Sequence, residues 1–122
     1  MKRSSLVSVC AGFSVLALAG MVAFAQVKGT RVAVTGEVVD LWCYLEHGDH
    51  GAKHKDCAVA CAKAGNPVGI VDAKGIVYVA MGFKEHQVGR DLLIKKMSQT
   101  VTATGSLVTK GGMQVLYITS VK

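Results

Sequence analysis

The segment that most constrains the fold is residues 100–121, TVTATGSLVTKGGMQVLYITSV. Val101, Ala103, Gly105 and Leu107 alternate with Thr102, Thr104 and Ser106, the two-residue period of a strand with one buried face. Lys110-Gly111-Gly112 supplies a turn, and residues 113–121 return with a second alternation, so the chain ends in a β-hairpin.

Further strands are expected upstream. Residues 32–41 (VAVTGEVVDL) are rich in β-branched side chains and bounded by polar ones. Residues 68–71 and 76–81 are apolar runs separated by Asp72-Ala73-Lys74-Gly75, a hairpin with a four-residue turn. Between the first strand and this hairpin, residues 45–55 (LEHGDHGAKHK) carry three histidines and two glycines with no apolar period, which reads as a loop. Residues 54–64 (HKDCAVACAKA) are alanine-rich, with Gly65 suited to a left-handed C-cap and Pro67 forbidding continuation, so a short helix is expected there. Residues 83–98 place Val88, Leu92 and Met97 on one face and predict a second helix, with Gly89 as its weak point.

The order is strand, cysteine loop and helix, hairpin, helix, closing hairpin: a mainly β domain with two short helices. Across residues 32–122 this order resembles the OB-fold, a five-stranded Greek-key barrel with a helix between strands 3 and 4. The most suggestive piece is TVTATGSLVTKGGMQVLYITSVK, where the mid-strand Gly105 and the glycine turn are similar to those of small exported OB-like domains. The resemblance implies a barrel whose face can take oligonucleotides or sugars. The Cys/His loop and helix between strands 1 and 2 depart from the usual short connection.

At the N-terminus, Lys2 and Arg3 precede an uncharged, largely apolar run over residues 6–24 that closes on Ala23-Phe24-Ala25. This is the layout of a secretory signal peptide over residues 1–25, cleaved before Gln26. An uncleaved anchor is the alternative, since the run approaches the ~20 residues that span a bilayer. Val9 before Cys10 argues against a lipoprotein, where a small residue is required. The expectation is a periplasmic or secreted protein, residues 26–122 forming one domain with no stable membrane insertion after cleavage. Without Lys2 and Arg3 the +6 chain keeps a mild positive charge, scattered rather than clustered, which is no nucleic-acid signature.

Of four cysteines, Cys43, Cys57 and Cys61 lie beyond the signal segment. An odd number cannot all pair internally. On the expected helix His54, Cys57 and Cys61 stand at i, i+3 and i+7, on one face. Cys43, at the end of the first strand, can fold over that face to give a Cys3His set. Such donors suit zinc first, with Cu(I) as the alternative. Against this stands a disulfide from Cys43 to Cys57 or Cys61 in an oxidising compartment, in which case no metal is needed. Within an intact helix a Cys57–Cys61 bond requires distortion. CAVAC is not a c-type haem attachment motif, because three residues separate its cysteines. His47 and His50 are weaker ligand candidates, able to replace His54 or to form a looser copper site with Asp49. His86 reads as surface, and Trp42 and Tyr44 as packing that shields the site.

Four functional classes follow. The first is a non-enzymatic metal-binding module, its ion tying the Cys/His loop to the barrel and leaving a surface for another exported or membrane protein. The second is a thiol redox or copper-handling protein using Cys43, Cys57 and Cys61, which requires an exposed thiol of lowered pKa. The third is an OB-type ligand-binding domain stapled by a disulfide; with Trp42, Tyr44, Tyr78, Phe83 and Tyr117 as the only aromatics beyond the signal segment, nucleic acid is not the expected ligand. The last is an enzyme, for which no Ser/His/Asp spacing, paired-carboxylate motif, P-loop or dinucleotide fingerprint is present, leaving only a metal with an open position.

Overall fold

The computed structural model describes residues 29–122; the expected signal segment 1–25 lies outside the described residues. Five strands form a closed barrel: β1 (Thr30–Asp40), β2 (Val68–Asp72), β3 (Val77–Gly82), β4 (Thr100–Lys110) and β5 (Met113–Val121). Around the barrel the order is β1-β2-β3-β5-β4, with β4 returning to β1. Every neighbouring pair is antiparallel except β3 and β5, which run parallel from Tyr78↔Gln114 to Gly82↔Ile118. Closure leaves no long edge exposed. The architecture is the OB-like one expected from the element order.

The closing hairpin follows the alternation. Val101 and Ala103 face the core, and the turn is made by Gly111 and Gly112, both at positive φ (58° and 80°), the geometry of a two-residue hairpin turn that matches strand twist. The alternation holds from Thr100 to Gly105 and then slips, since Ser106 is buried and Leu107 only half-buried. Thr104 pairs with Ser120 and Gly105 with Ile118, so Thr119 is an extra residue in β5 and bends the strand. A side chain at Gly105 would run into the Tyr117 carbonyl, which explains the glycine.

Val34, Val38, Ile70, Val101, Ala103, Leu116 and Ile118 fill the barrel, and Ala58 and Ala62 bring the helix of the β1–β2 connection onto the same core. Leu93 and Met97, both fully buried, join it from the segment between β3 and β4.

That segment differs from the helix expected over residues 83–98. Only α3 (Gly89–Leu93) and a 3-10 turn (Ile94–Lys96) are helical. Residues 83–88 are a loop: Gln87 N–H donates to the Lys84 carbonyl, His86 takes φ 62° and Val88 is extended. Val88 is exposed while Leu93 is buried, so the apolar face is set from Gly89 onward. Gly89 is no weak point, because its Cα packs against the Ala80 backbone where a side chain would not fit.

The β1–β2 connection also holds more helix than expected. β1 stops at Asp40, and α1 (Leu41–His47) follows at once; a 3-10 turn (Ala52–His54) then leads into α2 (Lys55–Ala64). Among the described residues there are therefore three short α-helices rather than two, and Cys43 lies in a helix rather than at a strand end. Among the described residues no helix is long and apolar enough to cross a membrane.

Candidate metal centre

The site is built by the connection between β1 and β2. Asp40 is the N-cap of α1: its backbone is extended and its Oδ1 accepts the Cys43 N–H at 2.8 Å. The helix ends at Gly48, in the left-handed conformation that glycine accommodates, with its N–H on the Tyr44 carbonyl. Only Leu41 and Cys43 of this helix are buried. With Trp42 and Leu45 exposed, α1 has no amphipathic period, which is why sequence pattern alone misses it.

The loop after α1 is fastened to the barrel by Glu37 on β1. Its two carboxylate oxygens accept the Gly51 N–H and meet His50 Nδ1 at 3.2 Å. This anchor brings the chain round so that the 3-10 turn delivers His54 as the residue before α2. In α2, Ala58 and Ala62 face the core, while Cys57 and Cys61, also four residues apart, share a neighbouring face. Gly65 closes the helix at φ 115°, as its sequence predicts, and the Leu41 N–H bonds the Pro67 carbonyl at 2.9 Å, tying the start of α1 to the end of the α2 connection.

These contacts bring the predicted residues together. Donor atoms of Cys43, His54 and Cys57 lie within 4.8 Å of one another, and those of Asp40, Cys43 and Cys61 do the same. Cys43 belongs to both triads. Its Sγ is 3.8 Å from Cys61 Sγ, and all three cysteines are free thiols, so no disulfide staples the loop. His54 is mostly buried, with the Asp49 carboxylate 3.9 Å from Nδ1 and a buried Nε2 that has no hydrogen-bond partner. The carboxylate side of the ring is thus Nδ1, which leaves Nε2 as the nitrogen free to bind. The Cys/His cluster could hold a metal ion.

Two of the thiols are harder to ionise than a free cysteine. Burial first, then Asp40 and Cys61 beside it, pushes the Cys43 pKa up to about 12. Cys57 is raised as well, chiefly by its interaction with the Cys61 thiol and then by desolvation. Crowded thiols titrate together, and each thiolate disfavours the next until a cation compensates.

The other candidates lie elsewhere. Among the described residues, His47 and His50 belong to neither triad. His47 packs edge-on against Trp42 at 5.5 Å, and His50 is engaged with Glu37 and the ring of Tyr44. Trp42 is 56 % exposed and so does not shield the centre. His86 is on the surface beside Glu85, as expected. Two residues escape sequence reading: Asp40, whose signal is the three-residue spacing of a helix N-cap to Cys43, and Glu37, which has no local signal because its partners are 13 and 14 residues away.

Compared with protein-family models, curated proteins and solved structures, the chain finds no match. The functional reading therefore rests on its own residues.

Proposed function

We propose that this chain is an exported, non-enzymatic metal-binding module in which a zinc ion, held by Cys43, His54, Cys57 and Cys61, ties the β1–β2 connection to the barrel. The observation that carries this is the Cys43–Cys61 spacing. Two thiolates bound at ~2.3 Å to one tetrahedral zinc stand ~3.8 Å apart, and a disulfide would need ~2.05 Å; the two sulfurs lie at 3.8 Å. The buried, unpartnered His54 Nε2 in the adjoining triad supports the same reading, since such a nitrogen is costly unless something binds it. Side-chain rotation about Cys43 would draw the two triads onto one ion.

The role follows from where the donors sit. α1 contributes few buried side chains, and the loop after it is held chiefly through Glu37. An ion bridging α1 and α2 would clamp both to β1, and its binding free energy would become folding free energy. The surface left free would serve another exported or membrane protein. Export itself is read from Lys2, Arg3, the apolar run and the Ala23-Phe24-Ala25 site. N-terminal sequencing of the mature product should begin at Gln26; retention of residues 1–25 on a membrane-bound product would overturn that part.

A second reading, copper handling or thiol exchange, is favoured by one observation, the exposed Cys57 thiol. Its raised pKa works against it as a nucleophile. Native mass spectrometry of the exported protein, with and without chelator and thiol alkylation, separates the two. One zinc per chain with three alkylatable thiols after chelation supports the first reading. Bound copper, or a product two hydrogen atoms lighter in which two of the three thiols resist alkylation, supports the second.

A further inference from the structure

The cluster contains a donor that a Cys3His set leaves out. Asp40 is 1 % exposed, at the end of β1. Its Oδ1 is committed to the Cys43 N–H at 2.8 Å, whereas Oδ2 is buried and has no hydrogen-bond partner. Helix capping accounts for the first oxygen and not for the second. A buried carboxylate oxygen without a partner is costly, and such groups in folded proteins are paired or bind cations. Here one carboxylate oxygen lies within 4.8 Å of the sulfurs of both Cys43 and Cys61.

Building on the metal-binding reading above, we propose that Asp40 is a fifth donor to the ion through Oδ2, expanding the Cys3His set to a five-coordinate centre, and that it makes the centre select a divalent ion over Cu(I). An ion seated on Cys43 and Cys61 would have Asp40 within reach in the same triad, and Cys43 would link it to His54 and Cys57 in the other. The choice of ion follows from donor chemistry. Cu(I) is satisfied by soft thiolates and gains little from a carboxylate, while zinc accepts oxygen at distances close to those of imidazole nitrogen. Charge acts in the same direction. Thiolates and a carboxylate gathered in a largely buried pocket leave excess negative charge, which a dication offsets better than a monocation.

Asp40→Asn tests this role, since asparagine keeps an Oδ1 to cap α1 and replaces the anionic Oδ2 with a neutral amide nitrogen that cannot bind the ion. The full mature chain carrying this change should bind Zn(II) at least tenfold more weakly in competition with a chromophoric chelator, with Cu(I) affinity unchanged and the metal-free melting temperature within a degree or two of the parent. Equal weakening toward both ions, or none, would overturn the proposal. X-ray absorption on the zinc-loaded parent protein gives a second measurement that needs no variant. Two nitrogen or oxygen scatterers beside the sulfur shell, from His54 and Asp40, are expected; one alone would remove Asp40 from the ligand set while leaving the Cys/His reading intact. A parent chain that binds neither ion would instead defeat the metal-binding reading itself.

Discussion

Cys43 in α1 and Cys61 in α2, 18 residues apart in sequence, hold their sulfurs 3.8 Å from each other without a covalent bond. The two helices are thereby close enough to share one ion, and the Cys61 thiol adds to the burial that makes Cys43 harder to ionise. Several consequences can be measured.

Cys57→Ser should lower both metal content and the melting temperature of the metal-loaded protein, and should leave the metal-free protein nearly unchanged because Cys57 is exposed. Metal analysis and thermal melts with and without chelator check this. A variant with full metal content, together with a Cys43–Cys61 bond in the parent, would put the disulfide reading in its place.

The pH dependence has two limbs. With metal bound, thiolates and neutral imidazole must stay deprotonated, so acid should release the ion and stability should fall with it. Without metal the sign reverses: the Cys43 thiol is raised from 9.0 to about 12 in the folded state, so its contribution is present below about 9.0 and is lost as pH rises toward 12. Melts of the chelated protein across that alkaline range should decline, and Cys43→Ala should flatten this part of the decline.

Glu37→Gln keeps an oxygen for the Gly51 N–H but removes the charge facing His50, whereas Glu37→Ala removes both. The alanine variant should speed amide exchange at Gly51 and weaken metal binding, since the loop that delivers His54 loses its anchor, with the β1–β4 amides unaffected. The glutamine variant should fall between. Hydrogen-exchange NMR reads all three; unchanged Gly51 protection in the alanine variant would show the loop is held otherwise.

Gly105→Ala should destabilise the barrel by about 1–3 kcal/mol, because the added methyl meets the Tyr117 carbonyl across the bulged β4–β5 pair. Urea unfolding measures this directly. The reverse change Ala103→Gly, at a fully buried position of the same strand, should cost roughly 1–2 kcal/mol through the lost methyl and the added backbone freedom.

What could be read from the chain and what could not divide along a physical line. Alternation in β4 as far as Gly105, the glycine turn after it, the Gly65 cap before Pro67, and the one-face spacing of Cys57 and Cys61 are properties of residues near one another in sequence, and these appear in the structure as expected. Sequence alone also pointed to His54 and Cys43 as partners of that face, the first by helical spacing and the second by loop length.

Only the tertiary structure decided how they meet. The parallel β3–β5 pairing closes the barrel and depends on chain segments more than 30 residues apart. The capped helix that carries Cys43 has too few buried positions to show a period. Val88 turned outward and Leu93 inward because Gly89 packs against Ala80 on β3, a contact that periodicity within residues 83–98 does not encode. Asp40 reads in sequence as a polar strand end; it becomes a buried, half-satisfied carboxylate beside two thiols only once β1, α1 and α2 pack together. Local pattern fixes which face a side chain takes along its own element, whereas desolvation and the meeting of distant donors come from packing, which no window of the sequence contains.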